Sequence, residues 1–227
     1  MHALFVYAHP EPTSFTAALK DAGLEALKSA GHTVEVSDLY AEGFNPVAGR
    51  HDFAGAADAK RFHYQTEQGR AHEANAFAPD IAREQRRFLD ADLVVWLYPI
   101  WWGGMPAIMK GWFDRVLAYG FAYADGRRFD TGFFPQKRGL LCLSTGGTTQ
   151  RFSADGVFGD IHAVLWPAQR LMIEYLGMDA LEPFVAYASP RVDTEARKAY
   201  LQQWRERLRA TADEAMRRKP HTAVHTA

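Results

Sequence analysis

The chain holds one cysteine in 227 residues, Cys142, so no internal disulfide framework is available and a reducing compartment suits it. The setting of that cysteine, "GLLCLS", is apolar, which points to a buried inert thiol and not to a nucleophile. No apolar run approaches the length of a membrane span, about 18 residues, so stable membrane insertion is not expected. Lys and Arg number 26 against 27 Asp and Glu, a formal net charge of -1, which argues against nucleic acid or an anionic membrane as the main partner. The opening "MHALFVYAHP" lacks a basic segment and a small-residue cleavage site, so a cytoplasmic protein without a secretory signal is expected. Neither a GxGxxG fingerprint nor a P-loop occurs, which counts against a dinucleotide-type Rossmann domain or an NTPase. His51, His63 and His72 show no metal-ligand spacing; they are read as loop residues and no metal is expected.

What is present is alternation. "ALFVYA" (3–8), "TVEVSD" (33–38), "LVVWLY" (93–98) and "GLLCLS" (139–144) are short runs bounded by turn residues, as buried parallel strands are. "LEPFVAY" (181–187) supplies a fifth strand, weakened by Pro183. Helical spacing begins at Thr13 and ends at Gly31, resumes near Asp80, and resumes again at Pro106. A fresh helix is expected from Pro167 to Gly177, and a last one from about Thr194 towards Arg218. Residues 41–78 carry no clear period, and a long excursion of that kind is usually functional or disordered. The expected fold class is α/β: a flavodoxin-like, doubly wound, five-stranded parallel sheet with helices on both faces. A single domain over 1–218 and a frayed tail over 219–227 complete the expectation.

Ligands of open α/β sheets bind beyond the carboxyl ends of the strands. After the first strand comes "HPEPTSF", with His9, Thr13 and Ser14 but no glycine. Those hydroxyls either cap the coming helix or hold a phosphate beside the helix N–H groups; the residues alone leave both readings open. After the third strand comes "PIWWGGMP", which sets two tryptophans beside two glycines. After the fourth comes "STGGTTQRF", whose Thr145 and the N–H groups of Gly146 and Gly147 are placed to face a developing negative charge. A flat, aromatic, phosphate-bearing cofactor fits all three segments, and flavin is the natural candidate.

"AHPEPTSF", "DLYAEGFNPV", "YPIWWGGMPAIMKGWFDRV", "STGG", "VLWPAQ" and "LEPFVAY" resemble, in order over about Ala3 to Leu208, the flavodoxin-like NAD(P)H:quinone oxidoreductase family, the DT-diaphorase-like proteins and their bacterial relatives. The resemblance implies a homodimer with one non-covalent FAD per subunit, NADH or NADPH as co-substrate, and a quinone or other small aromatic acceptor. It implies hydride transfer from NAD(P)H to the flavin and then to the acceptor, one after the other in a single pocket. His9, Thr13, Ser14, Phe15, Thr16 and Ala18 would hold the pyrophosphate and ribityl chain. Pro99, Ile100, Trp101, Trp102 and Gly103 would line the isoalloxazine ring. Ser144, Thr145, Gly146 and Gly147 would reach its pyrimidine end. Arg197 and Leu201 match residues near the adenosine half, which favours FAD over FMN. His63 matches a polar residue near the cofactor, and Tyr123 and Tyr175 match aromatics that the second subunit adds to the substrate pocket.

The chain departs from the family pattern in that pocket. Phe152 and Phe158 stand where well-studied mammalian members have a Tyr and a His proposed to relay charge, Asp125 replaces a pocket tyrosine, and Arg128 replaces a pocket methionine. The sequence also lacks the extra C-terminal segment of mammalian members. Three other roles stand beside the leading one. One is reduction of azo or nitroaromatic compounds, and another is that of an ancillary regulatory flavoprotein of a potassium-efflux system. The third, a one-electron FMN carrier, is disfavoured by the lack of an acidic surface.

Overall fold

The structure, a computed structural model, describes residues 1–55 and 60–218; the expected tail, 219–227, lies outside the described residues. Six strands form one parallel sheet: β1 (His2–Tyr7), β2 (Thr33–Asp38), β3 (Leu93–Pro99), β4 (Arg138–Ser144), β5 (Asp179–Ala180) and β6 (Phe184–Ala186). The order is β2-β1-β3-β4-β5, with β6 also on β4. The helices are α1 (Phe15–Ser29), α2 (Tyr64–Ala74), α3 (Pro79–Asp90), α4 (Ala107–Val116), α5 (Ile161–Ala168) and α6 (Thr194–Arg218).

The apolar runs are continuous because both sheet faces are covered. In β1, Leu4 and Val6 join a core with Val94, Trp96, Met109 and Trp112, under α3, α4 and α5. Their neighbours Ala3, Phe5 and Tyr7 join the opposite core with Leu19, Leu27, Trp204 and Leu208, under α1 and α6. The alternation of side chains along a strand thus feeds two cores from one run. The indole N–H of Trp204 donates to the Leu19 carbonyl at 2.9 Å, which ties α6 to α1.

Three expectations are corrected. The helix near Pro167 starts earlier, at Ile161, with the Asp160 carboxylate accepting the His162 N–H at 2.7 Å as its cap. Pro167 lies inside that helix; lacking an N–H, it weakens the turn, and the chain passes into a wider π-helical turn (Gln169–Ile173) before stopping at Gly177, whose φ is 85°. The fifth strand is split in two, because Pro183 between the halves cannot donate to the ladder on β4. The excursion contains a helix, α2, with little amphipathic pattern: its buried residues include Glu67 and Gln68. The Gln68 side chain donates to the Asp114 carbonyl and accepts from the Tyr119 N–H, so burial there is polar. His72 lies within α2, not in a loop.

Cys142 is fully buried in β4, and burial pushes its thiol well above the ordinary value. The native protein is expected to be inert to Ellman's reagent and to react only after guanidinium unfolding; a thiol that titrates in native buffer would contradict the placement. Among the described residues no helix is long and apolar enough to cross a membrane.

Candidate active site

The register of the central strands brings the three loops together. Pro99 at the end of β3 pairs with Ser144 at the end of β4. The Ile100 N–H then donates to the Ser144 carbonyl at 2.9 Å, and Ala8 beyond β1 donates to Leu97 at 3.0 Å. Across this edge lies a groove of about 440 Å³, lined from the first loop by His9, Thr13, Ser14, Phe15, Thr16 and Ala18. Pro99, Ile100, Trp101, Ser144, Thr145 and Gly146 line its other wall, and Ser189, Pro190 and Arg197 close one end.

The first loop is held by its own side chains. Ser14 Oγ accepts the Ala17 N–H at 3.1 Å and caps α1. The Thr13 hydroxyl and N–H both donate to the Glu11 carboxylate, at 2.6 and 2.8 Å, which holds that carboxyl below its usual range. Thr16 Oγ1 lies 2.8 Å from Ser144 Oγ, a buried contact that fastens α1 to β4. The alternatives of cap and anion holder are thus not exclusive. Ser14 caps, and the first N–H groups of α1, at Phe15 and Thr16, have no acceptor within the helix. His9 adds a donor: its Nδ1 accepts the Glu11 N–H at 3.0 Å, and burial lowers its pKa. In the neutral ring this leaves Nε2 as the N–H.

After β3 the chain turns back on itself. Trp101 and Gly104 exchange backbone hydrogen bonds of 2.9 and 3.0 Å around Trp102 and Gly103. Both central residues have positive φ, 50° and 73°, the geometry of a type I′ turn. Gly103 adopts it freely, but Trp102 does so against the clash of its Cβ. Trp102 is fully exposed, so no packing within the chain explains the residue. Trp102→Asn is expected to raise stability by up to about 1 kcal/mol, since asparagine tolerates this region. It also removes the aromatic face. A lower urea midpoint for the variant would contradict the strain.

After β4, Gly146 and Gly147 join Trp102, Gly103, Phe152 and Phe158 around an adjoining cavity of about 480 Å³ that shares Ile100, Thr145 and Gly146 with the groove. A Cβ on Gly147 would stand 2.6 Å from Phe152 and 3.0 Å from Phe158, whose rings are 5.1 Å apart. One expectation fails here. The Gly147 N–H does not face the cavity but donates to Thr145 Oγ1 at 3.1 Å. The Thr145 N–H in turn is bound by the Ala186 carbonyl, so of the three residues Thr145, Gly146 and Gly147 that line the cavity, Gly146 is the one whose N–H is not committed to these bonds.

Other expected site residues lie elsewhere in the chain. Leu201 packs into the core beneath α6 and does not line the groove, whereas Arg197, one helical turn away, does. His63 caps α2, accepting the Thr66 N–H, and borders a third cavity of about 650 Å³ with Tyr123 and Tyr175. That cavity shares no lining residue with the groove. The two tyrosine rings are 5.7 Å apart, and Arg128 reaches the Tyr175 hydroxyl at 3.5 Å. Asp125 is exposed in the tight turn between Ala124 and Arg127 and borders none of these cavities. Ser189, Pro190, Arg151 and Arg191 were missed. Ser189, Pro190 and Arg191 follow the fifth strand, so extending the strand-end rule to that strand finds them.

The chain matches the family described as having a flavodoxin-like fold over residues 1–208. It is 42% identical over 214 residues to NAD(P)H dehydrogenase [quinone] 1 of Rattus norvegicus, covering 94% of this chain and 78% of that one. It is 42% identical over 208 residues to ribosyldihydronicotinamide dehydrogenase [quinone] of Mus musculus, covering 91% and 90%. Among solved structures, a candidate quinone reductase of Klebsiella pneumoniae superposes with a TM-score of 0.89 at 36% identity, covering 93% of this chain and 85% of that one. An NAD(P)H:quinone oxidoreductase of Methanothermobacter marburgensis gives 0.72 at 27%, covering 93% and 97%. The chain belongs to the flavodoxin-like family and, within it, to the NAD(P)H:quinone oxidoreductases, which are enzymes.

Proposed function

We propose that this enzyme is an FAD-dependent NAD(P)H:quinone oxidoreductase that works by a ping-pong mechanism as a homodimer. One observation carries the reading: the loops after β1, β3 and β4 meet in a groove that joins an aromatic cavity. The residues present fit a flavin. At one end the Phe15 and Thr16 N–H groups, His9 Nε2 and the Ser14 hydroxyl suit a pyrophosphate. Pro99, Ile100 and Trp101 offer an apolar and aromatic wall for the ring system. FAD is preferred to FMN because Ser189, Pro190 and Arg197 continue the groove at its end.

When bound, the flavin supplies a two-electron acceptor for hydride. The protein's own part is placement and charge. The Gly146 N–H, in a loop whose neighbours are fixed by their own bonds, would serve as the donor to the negative charge that grows on the flavin, and a donor that is already oriented loses little to reorganisation. The wall of the aromatic cavity orients first the nicotinamide and then the acceptor, in turn. Phe152 and Phe158 can neither donate a hydrogen bond nor take a proton, so the backbone carries this task.

Two features support a dimer. His63, Tyr123 and Tyr175 border a cavity separate from the groove in their own chain. Trp166 and Leu171 are exposed apolar residues of the kind a second copy covers. The purified protein is expected to be yellow, or to become so with FAD, and to bleach on anaerobic addition of NADPH. Chromatography of the released flavin separates FAD from FMN. Initial-rate plots with varied quinone should be parallel, and sedimentation should give the dimer. A colourless protein that binds neither flavin overturns the reading.

A further inference from the structure

Two arginines border the aromatic cavity and have no part in the reading above. Arg151 and Arg191 line it together with Trp102, Phe152, Phe158 and Val164. Each guanidinium is aimed by a contact. Arg191 donates through Nη1 to the Gly146 carbonyl, and Arg151 lies 5.8 Å from the centre of the Phe158 ring. The first is a hydrogen bond and the second a cation–π contact, and neither neutralises the charge. Among the described residues neither arginine forms a salt bridge. Arg83, Arg170 and Arg205 sit against carboxylates, whereas Arg50, Arg127 and Arg207, like this pair, have ring or carbonyl contacts; what distinguishes Arg151 and Arg191 is that both line one aromatic cavity. Two unneutralised cations therefore flank a space walled by aromatic rings.

We propose that this cavity selects an aromatic acceptor bearing an acidic group, with Arg151 and Arg191 as the specificity-determining residues. The inference rests on the quinone-reductase reading. The rings of Trp102, Phe152 and Phe158 provide faces for a planar acceptor, and a guanidinium fork matches a carboxylate or sulfonate in shape as well as charge. Gly146 relates the two functions: it lines the cavity, and its carbonyl holds Arg191. In the reaction NAD(P)H loses a hydride and becomes NAD(P)⁺. The quinone gains that hydride together with one solvent proton and becomes the hydroquinone, and its acidic group is unchanged.

The test compares menadione, which is neutral, with a naphthoquinone sulfonate of the same ring system, using the flavin-loaded enzyme. Arg151→Gln, Arg191→Gln and the double variant are assayed with NADPH and with NADH. In the double variant the ratio of kcat/KM for the sulfonate to that for menadione should fall at least about tenfold, mostly through KM. Raising the ionic strength should weaken the sulfonate's KM in the wild type and leave that of menadione in place. Equal changes for both quinones would overturn the proposal. So would an effect confined to NADPH against NADH, since the anion recognised would then be the ribose phosphate. A calorimetric titration with naphthalene sulfonate, which cannot be reduced, separates the two levels. Binding that depends on both arginines, in an enzyme that reduces neither quinone, sustains the anion site and removes the quinone reading. Turnover of menadione without arginine-dependent sulfonate binding does the reverse.

Discussion

Arg115→Met is expected to cost about 3–5 kcal/mol of folding stability, because it strands a buried carboxylate. Arg115 and Asp52 are both buried, α4 supplying the first and the excursion the second. Arg115 Nε and Nη2 lie 2.8 and 2.7 Å from Asp52 Oδ1, while Nη1 donates to the Asn45 carbonyl at 2.7 Å and to Asp80 at 2.9 Å. The other Asp52 oxygen accepts from the Tyr64 hydroxyl at 2.6 Å and from the Gly49 N–H at 3.1 Å. Burial first, and then the Asp52 carboxylate, push the Tyr64 hydroxyl far above its ordinary pKa, so it remains a donor. Removing the guanidinium leaves Asp52 with hydrogen bonds and, as its one remaining basic neighbour among the described residues, the half-exposed His51, 3.2 Å from Oδ1. Urea unfolding measures the loss. The double variant Asp52→Leu with Arg115→Met should recover part of it, because it removes the stranded charge, while the Tyr64 hydroxyl, the Gly49 N–H and the Asn45 carbonyl lose their partners and keep the recovery incomplete. A single variant as stable as wild type would show that the cluster is solvated in practice. The same clasp holds Tyr64 and His63 at the third cavity, so Arg115→Met should also disturb any function located there.

In stopped-flow reduction by NADPH, Gly146→Pro should slow flavin reduction by roughly 10²–10³-fold, the usual effect of deleting an oriented donor in such a site. Gly146→Ala is the matching control. It keeps the N–H, and its Cβ would meet only the far end of the Arg191 side chain, at 3.1 Å. That variant should stay within a few-fold of wild type. Flavin content and sedimentation, each compared with wild type, check that each variant is assembled. If the proline variant, fully loaded, is reduced as fast as the alanine variant, the Gly146 N–H does not stabilise the transition state. Gly147 is constrained for a different reason. It needs to be glycine because of the ring pair beside it, not because its N–H is available.

Much of this molecule was legible in the order of its residues. Alternating apolar runs and helical spacings gave β1 to β4 and α1, α3, α4 and α6 close to their observed bounds, because burial on both faces of a parallel sheet leaves a continuous signature. The strand-end rule gathers His9, Thr13, Ser14, Trp101, Ser144, Thr145 and Gly146 from the sequence alone, since topology carries those loops to one edge. The polar helix α2 was not legible, because its stability comes from Gln68 and Glu67 buried against other segments and not from an apolar stripe. Nor could the start of α5 be read past Pro167, a residue whose usual place is the first turn.

Only the tertiary structure decided which donors remain free. Thr13 is held by Glu11, Thr16 by Ser144, and the Gly147 N–H by Thr145, whereas Ser14 caps α1 as an acceptor and keeps its hydroxyl proton. It also separated Tyr123, Tyr175 and His63 from the groove, and brought Arg191 from beyond β6 to the loop after β4. The physical reason is the same in each case. A strand or helix announces itself through a local repeat of burial, but a hydrogen-bonding group is committed by whichever partner the fold brings within about 3 Å, and that partner is often far away in sequence.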